Sequence, residues 1–180
     1  GVQHIAPGDR ILVSGTLGDH GTVVMAAREN LGLSTALESD TAPLNGLVEA
    51  LFEAGVPVHA LRDPTRGGLA QTLCEMADAS GWHFTVDEAA LPVRPQVAGV
   101  ADLLGLDVLQ VANEGKLVAF VPEAHADQAL QAMRAHPLGA EAAIIGEVVK
   151  ANDTLVELHT QVGGRRMVER PTGDLLPRIC

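Results

Sequence analysis

At 180 residues, 47% hydrophobic but only 2% aromatic, the chain holds enough apolar material for one sizeable core, to be packed from Ala, Val, Leu and Ile. Twelve basic against 23 acidic residues leave a formal charge of −11, and no basic cluster exceeds Arg165-Arg166, which argues against nucleic acid and anionic membrane as partners. No apolar run approaches the ~18 residues of a membrane span, so a cytoplasmic protein is expected. Cys74 and Cys180 form no CxxC pair and the seven His show no HxxxH or HExxH spacing, so neither a disulfide scaffold nor a metal site is expected. The chain opens on Gly1 without an initiator Met and reads as a piece of a longer protein.

Pro7-Gly8-Asp9 turns into a strand over residues 10–14, followed by the glycine-punctuated loop Thr16-Leu17-Gly18-Asp19-His20-Gly21 and a helix over residues 22–31. Asp19 and His20 at that junction can hold a ligand or act as acid and base, and equally suit a plain N-cap and a surface residue. Residues 32–37 form a loop. Ser39-Asp40-Thr41-Ala42-Pro43 reads as the capped start of a helix through Leu44, Leu47, Val48 and Leu51, which assigns Asp40 to capping ahead of any site.

The stretch around which the rest is arranged is LRDPTRGGLAQTL, residues 61–73. An apolar run through Val56, Val58 and Ala60 enters it as a buried strand. Leu69, Leu73, Met76 and Ala77 leave it at the spacing of an amphipathic helix that ends near Ser80, before Gly81. Asp63 and Thr65 are N-cap types, Pro64 stiffens the turn, and Gly67 and Gly68 clear the approach to the first helical amides. With Arg66 beside them, those amides and the helix dipole favour an anion such as phosphate. An ordinary capped turn fits the same spacing. Cys74, on or near the buried face, reads as a packing residue.

A strand over residues 82–86 follows, then a Pro-introduced helix over 96–104 closed by Gly105. Asn113-Glu114-Gly115 lies between two apolar runs, 106–112 and the strand 116–121, a turn that presents Glu114 at a strand edge either as a base or as a solvated turn carboxylate. Pro122-Glu123 starts another helix, and residues 143–149, 154–158 and 165–168 form three further strands. The pattern gives an α+β fold, a mixed β-sheet covered by helices. Pro171 and Pro177 flank an ending that does not continue a helix and puts Cys180 at the tip of an arm.

Leu176-Pro177-Arg178-Ile179-Cys180, together with Gly18-Asp19-His20-Gly21, Ser39-Asp40, Arg62-Asp63-Pro64-Thr65-Arg66-Gly67-Gly68, Asn113-Glu114-Gly115-Lys116 and Ile145-Gly146-Glu147-Val148, resembles the HypE family of hydrogenase maturation proteins over essentially the whole chain. The PRIC ending is the most specific part. Aminoimidazole ribonucleotide synthetase and selenophosphate synthetase, from the wider superfamily, share the glycine-rich loop but not this tail.

The resemblance implies a carbamoyl dehydratase that makes cyanide ligands for nickel–iron hydrogenases. The carbamoyltransferase HypF would load a carboxamide on Cys180, ATP with Mg2+ would activate its oxygen, and loss of phosphate would leave a thiocyanate for a HypC–HypD iron scaffold. Glu114 is the first candidate for the base and His20 the second. Asp63, Thr65, Arg66, Gly67 and Gly68 would face the phosphate. Asp19, Asn113 and Arg178 would support, Arg178 by guiding the tail. Some family members carry Cys where Thr41 stands, so a thiol role is absent there. The resemblance further implies that residues 1–170 are the C-terminal domain and 171–180 a flexible tail. An ATP-binding half that also forms the homodimer would be missing from these residues. A superfamily enzyme acting on a free small molecule and a non-catalytic carrier or docking domain are the rival readings.

Overall fold

The computed structural model describes residues 1–29 and 37–172. Strands β1 (Asp9–Val13), β2 (Ala60–Arg62), β3 (His83–Asp87), β4 (Val118–Pro122), β5 (Ala143–Val149), β6 (Val156–His159) and β7 (Arg165–Met167) form one sheet in the order β2-β4-β1-β5-β3-β6-β7. β3 and β6 run parallel, and every other neighbouring pair is antiparallel. The mixed sheet covered by helices is the expected α+β architecture.

Among the described residues, five helices accompany it: α1 (Asp19–Arg28), α2 (Asn45–Glu53), α3 (Gly68–Ser80), α4 (Pro95–Leu104) and α5 (Ala126–Ala135). Strand alternation sorts the apolar residues between two faces. Ile11, Val13, Val118 and Phe120 point to the side where α3 lays down Leu69, Leu73 and Ala77. Leu12, Ala119 and Val121 point to the side covered by α2 and α5 through Leu47, Leu51, Ala129 and Met133. With almost no aromatics, the α3 side sets one tilted ring pair among its aliphatic side chains, Phe84 and Phe120, whose centroids are 5.2 Å apart.

Several expected boundaries shift for identifiable reasons. α1 begins at Asp19 rather than residue 22, because Gly18 supplies the left-handed N-cap and Gly21 sits inside the first turn, donating its N–H to the Ala112 carbonyl at 3.1 Å. β2 is only three residues long. Val56 is buried against α2 and α5 ahead of the strand, so its apolar character reports packing and not pairing. Residues 106–112 contain a single 3-10 turn at Val108–Gln110, which leaves Glu114 in a loop four residues ahead of β4 and not at a strand edge. The loop expected at 32–37 falls almost wholly outside the described residues.

Candidate functional site

Three motifs separated in sequence meet at one buried side chain. Asn113 is 1% exposed. Its Oδ1 accepts the Gly18 N–H at 2.8 Å, while its Nδ2 donates to the carbonyls of Pro64 and Val111, both at 3.1 Å. Its own backbone N–H adds a second bond to Pro64, at 3.2 Å. The loop carrying Asp19 and His20, the turn at residues 63–68 and the Asn113–Lys116 segment are thereby held as one unit.

Asp40 extends this unit and corrects an expectation. α2 starts at Asn45, its N-cap is Leu44, and no side chain caps it. Asp40 instead accepts the Glu114 N–H on Oδ1 at 3.1 Å and pairs with Lys116 Nζ through Oδ2 at 2.9 Å. Their side chains are 4% and 11% exposed, and a partially desolvated ion pair offers a carboxylate more than one surface capping bond does. Gly115 is required here: a Cβ would lie 1.6 Å from the Asp40 carbonyl oxygen.

The two candidate bases are fastened to adjacent residues. His20 Nδ1 lies 2.8 Å from Ser39 Oγ, which lies 2.8 Å from Thr41 Oγ1, and Glu114 is held through its backbone to Asp40. The Glu114 side chain is exposed.

The turn at residues 63–68 differs in detail from its expected form. The N-cap of α3 is Gly67, with no side-chain cap, so neither Asp63 nor Thr65 performs that role. Asp63 and Arg66 are exposed, and Thr65 is half-buried. Gly68 has φ +61°, and a Cβ there would lie 2.5 Å from the Val111 carbonyl oxygen and 2.6 Å from that of Leu109. The glycine therefore serves close packing of α3 beneath the chain's own backbone.

The segment after β7 returns along α3 to this turn. Val168 donates its N–H to the Val156 carbonyl at 2.8 Å and accepts from Cys74 Sγ at 3.3 Å, and Arg170 pairs with Asp78. Pro171 Cγ then sits 3.3 Å from where a Gly67 Cβ would be. The root of the tail thus arrives at the glycine-rich turn, while Arg178 and Cys180 lie outside the described residues. Burial pushes the Cys74 thiol pKa up, consistent with a packing thiol.

Sequence reasoning gave no role to Arg94, Lys116 or Glu141. They line a cavity of about 300 Å³ together with Thr16, Asp19 and Asp40. Lys116 was open to discovery as one of only two lysines, placed directly after a turn; Arg94 and Glu141 give no local signal.

Residues 6–159 match the model of the family described as AIR synthase related protein, C-terminal domain, and the chain belongs to that family. Within it, the chain is similar to carbamoyl dehydratase HypE of Rhizobium leguminosarum bv. viciae, 51% identical over 97% of this chain and 50% of the relative. It is likewise similar to HypE of Cupriavidus necator, 52% identical over 97% and 50%. Escherichia coli HypE superposes with a TM-score of 0.93 at 49% identity, covering 100% of this chain and 55% of that structure. A HypE in complex with ATP gives 0.92 at 41% identity, over 97% and 54%. HypE in a HypE–HypF complex gives 0.90 at 45% identity, over 95% and 55%. The chain spans about half the length of the relatives it matches.

Proposed function

We propose that this chain is the C-terminal part of an ATP-dependent carbamoyl dehydratase. The enzyme converts an S-carboxamide on Cys180 to a thiocyanate, the source of cyanide ligands for nickel–iron hydrogenase maturation. The observation that carries the reading is identity near 50% with HypE along 97% of the chain. The convergence of its motifs on Asn113 supports it from the structure.

ATP, when bound, supplies the phosphoryl group that turns the carboxamide oxygen into a leaving group. The chain's own residues do the rest. Glu114, on a loop anchored by Asp40 and free to reach outward, takes a proton from the carboxamide nitrogen, with His20 as the second candidate. Loss of both N–H protons and departure of the oxygen with phosphate leave S–C≡N. Arg66, exposed at the glycine-rich turn with Asp63, Thr65, Gly67 and Gly68, is the residue here best suited to meet phosphate. Pro171 delivers the tail's root to that turn, and Arg178 would pair with a carboxylate to steer its end.

Among the described residues, no three of His, Cys, Asp or Glu come together in a way that would hold a metal ion. By resemblance to HypE, Mg2+ and most of the ATP contacts are assigned to an N-terminal ATP-binding half that also forms a homodimer. Residues 1–170 act as the C-terminal domain and 171–180 as the tail. HypF loads the carbamoyl group, a HypC–HypD scaffold receives the cyanide, and the work takes place in the cytoplasm. A HypE–HypF complex among the similar structures supports the first of these partners.

The test is intact mass of the chain after incubation with HypF, carbamoyl phosphate and ATP, with and without the N-terminal half, alongside Cys180→Ala. A carbamoyl adduct that loses water only when that half is present is expected. No adduct on Cys180, with HypF proven active, overturns the reading.

A further inference from the structure

We propose that Ser39, backed by Thr41, is a positioning residue for His20: it holds the neutral imidazole with its proton on Nδ1 and so leaves Nε2 bare to accept one. The inference rests on the reading of His20 as a proton acceptor for the carboxamide, whose nitrogen has two protons to lose and so has use for a second base besides Glu114.

The backbone of His20 is fixed from both sides in the first turn of α1. Gly18, the N-cap, donates its N–H to Asn113 Oδ1 at 2.8 Å, and Gly21 donates to the Ala112 carbonyl at 3.1 Å. Ser39 Oγ lies 2.8 Å from His20 Nδ1, and Thr41 Oγ1 lies 2.8 Å from Ser39 Oγ. Both hydroxyl residues are exposed, and exposed hydrogen bonds by themselves hold little. What fixes these two is the residue between them. The Asp40 carboxylate accepts from the Glu114 N–H at 3.1 Å and from Lys116 Nζ at 2.9 Å, and its carbonyl oxygen packs against Gly115. The segment is thereby pinned at its middle, so its two hydroxyls keep their places at small further cost in freedom.

The direction of this chain follows from counting. A hydroxyl has one proton and two lone pairs. Ser39 Oγ gives one lone pair to the Thr41 N–H at 3.3 Å, which leaves one lone pair and one proton for His20 Nδ1 and Thr41 Oγ1. One of these partners therefore donates and the other accepts. In the first arrangement Nδ1–H donates to Ser39, whose O–H donates onward to Thr41, and Nε2 is bare. In the second Thr41 donates to Ser39, whose O–H caps Nδ1, and the proton sits on Nε2. Only the first makes a base. A proton taken from the carboxamide nitrogen goes to Nε2 while its electron pair stays on that nitrogen, and the resulting imidazolium keeps Nδ1–H on Ser39 with nothing to reorient. The hydroxyl pair thus orients the ring as the buried carboxylate does in a hydrolase triad, without adding a charge.

The test reads the ring nitrogens of His20 by NMR of the chain carrying isotope-labelled histidine, at about pH 9, above the ordinary range of imidazole titration. The Nδ1–H tautomer is expected to predominate, with Nε2 at the shift of a bare ring nitrogen. Thr41→Val removes the acceptor of the Ser39 proton and should move the tautomer ratio about fivefold toward Nε2–H, the equivalent of one net hydrogen bond. Ser39→Ala should move it by a similar factor and Ser39→Thr should restore it. With the N-terminal half supplied and HypF present, Ser39→Ala should slow dehydration about fivefold at an unchanged rate of carbamoylation. A resting Nε2–H tautomer, a ratio unmoved in both Thr41→Val and Ser39→Ala, or dehydration unchanged while the ratio moves overturns the proposal. The tautomer is read without ATP or HypF and adduct formation on Cys180 by mass, so the positioning role and the dehydratase reading fail separately.

Discussion

Asp40 and Lys116 form an ion pair at 2.9 Å across 76 residues of sequence, with side chains 4% and 11% exposed. Removing one member leaves the other charged and largely desolvated, at a cost of about 3–5 kcal/mol. Lys116→Met and Asp40→Asn should each lower stability on that scale in urea denaturation. The double variant should lose less than the sum, because no orphan charge remains. Additive losses would show that the pair is not energetically coupled.

Asn113 joins three segments, and Asn113→Ala leaves the Gly18 N–H without its acceptor in a buried setting. The Pro64 carbonyl keeps the backbone N–H of residue 113. One stranded donor and two lost side-chain donations point to about 2–3 kcal/mol of destabilisation. Hydrogen exchange should report it most strongly at the start of α1, where Gly18 is the N-cap. A variant with unchanged exchange at Gly18 and Asp19 would disprove the linking role.

The chain punctuates itself openly where a local rule decides the outcome. The helix through Leu69, Leu73 and Met76 stops at Gly81 because a left-handed C-cap is a glycine property, and α4 closes at Gly105 for the same reason. Asp40 was misread because the best partner for its carboxylate lies far away in sequence and a local capping rule cannot see it. Gly68 was legible as a glycine needed for close approach, but what approaches is the backbone of Leu109 and Val111, a tertiary fact. Arg94, just ahead of α4, and Glu141, in the segment after α5, meet only in three dimensions, where Arg94 donates to both Thr16 and Glu141.

The link between His83 and Asp153 makes an acid-sensitive contact. The hydrogen bond from His83 holds the Asp153 carboxyl below its ordinary value of 3.8. A carboxylate with a depressed folded pKa adds stability that is fully present above its unfolded pKa and is lost as pH falls through the folded one. Asp153→Asn should therefore lower the melting temperature near neutral pH, with the difference shrinking as the solution is taken below pH 4 or so. A difference that persists unchanged in acid would show that the contact is not ionic.

Cys74 donates its thiol to the Val168 carbonyl at 3.3 Å, and burial raises its pKa. Only the thiolate reacts with alkylating agents, so in Cys180→Ala labelling by iodoacetamide should be slower than for a free thiol, accelerating as pH rises. Asp78→Ala, which removes the ion pair to Arg170 and with it a carboxylate that raises the thiol pKa, should speed that labelling. Identical rates in the two chains would mean that the pair between Asp78 and Arg170 does not bear on the Cys74 thiol.

Glu114 offers the sharpest separation between an enzyme and a passive carrier. Its backbone is held by Asp40 while its side chain is exposed, so Glu114→Gln keeps the hydrogen bond, the volume and the loop and removes only basicity. The variant's melting temperature should match that of the parent. On the proposed reading, with the N-terminal half supplied and HypF present, the carbamoyl adduct should form at the normal rate and then persist, with dehydration slowed by about 10²–10⁴-fold, the usual contribution of a positioned base. His20→Gln gives the complementary measurement. If dehydration stalls there and not at Glu114→Gln, the base is the imidazole tied to Ser39. Normal dehydration in both variants, and in their combination, would remove proton abstraction from this chain and leave it the role of presenting the thiol.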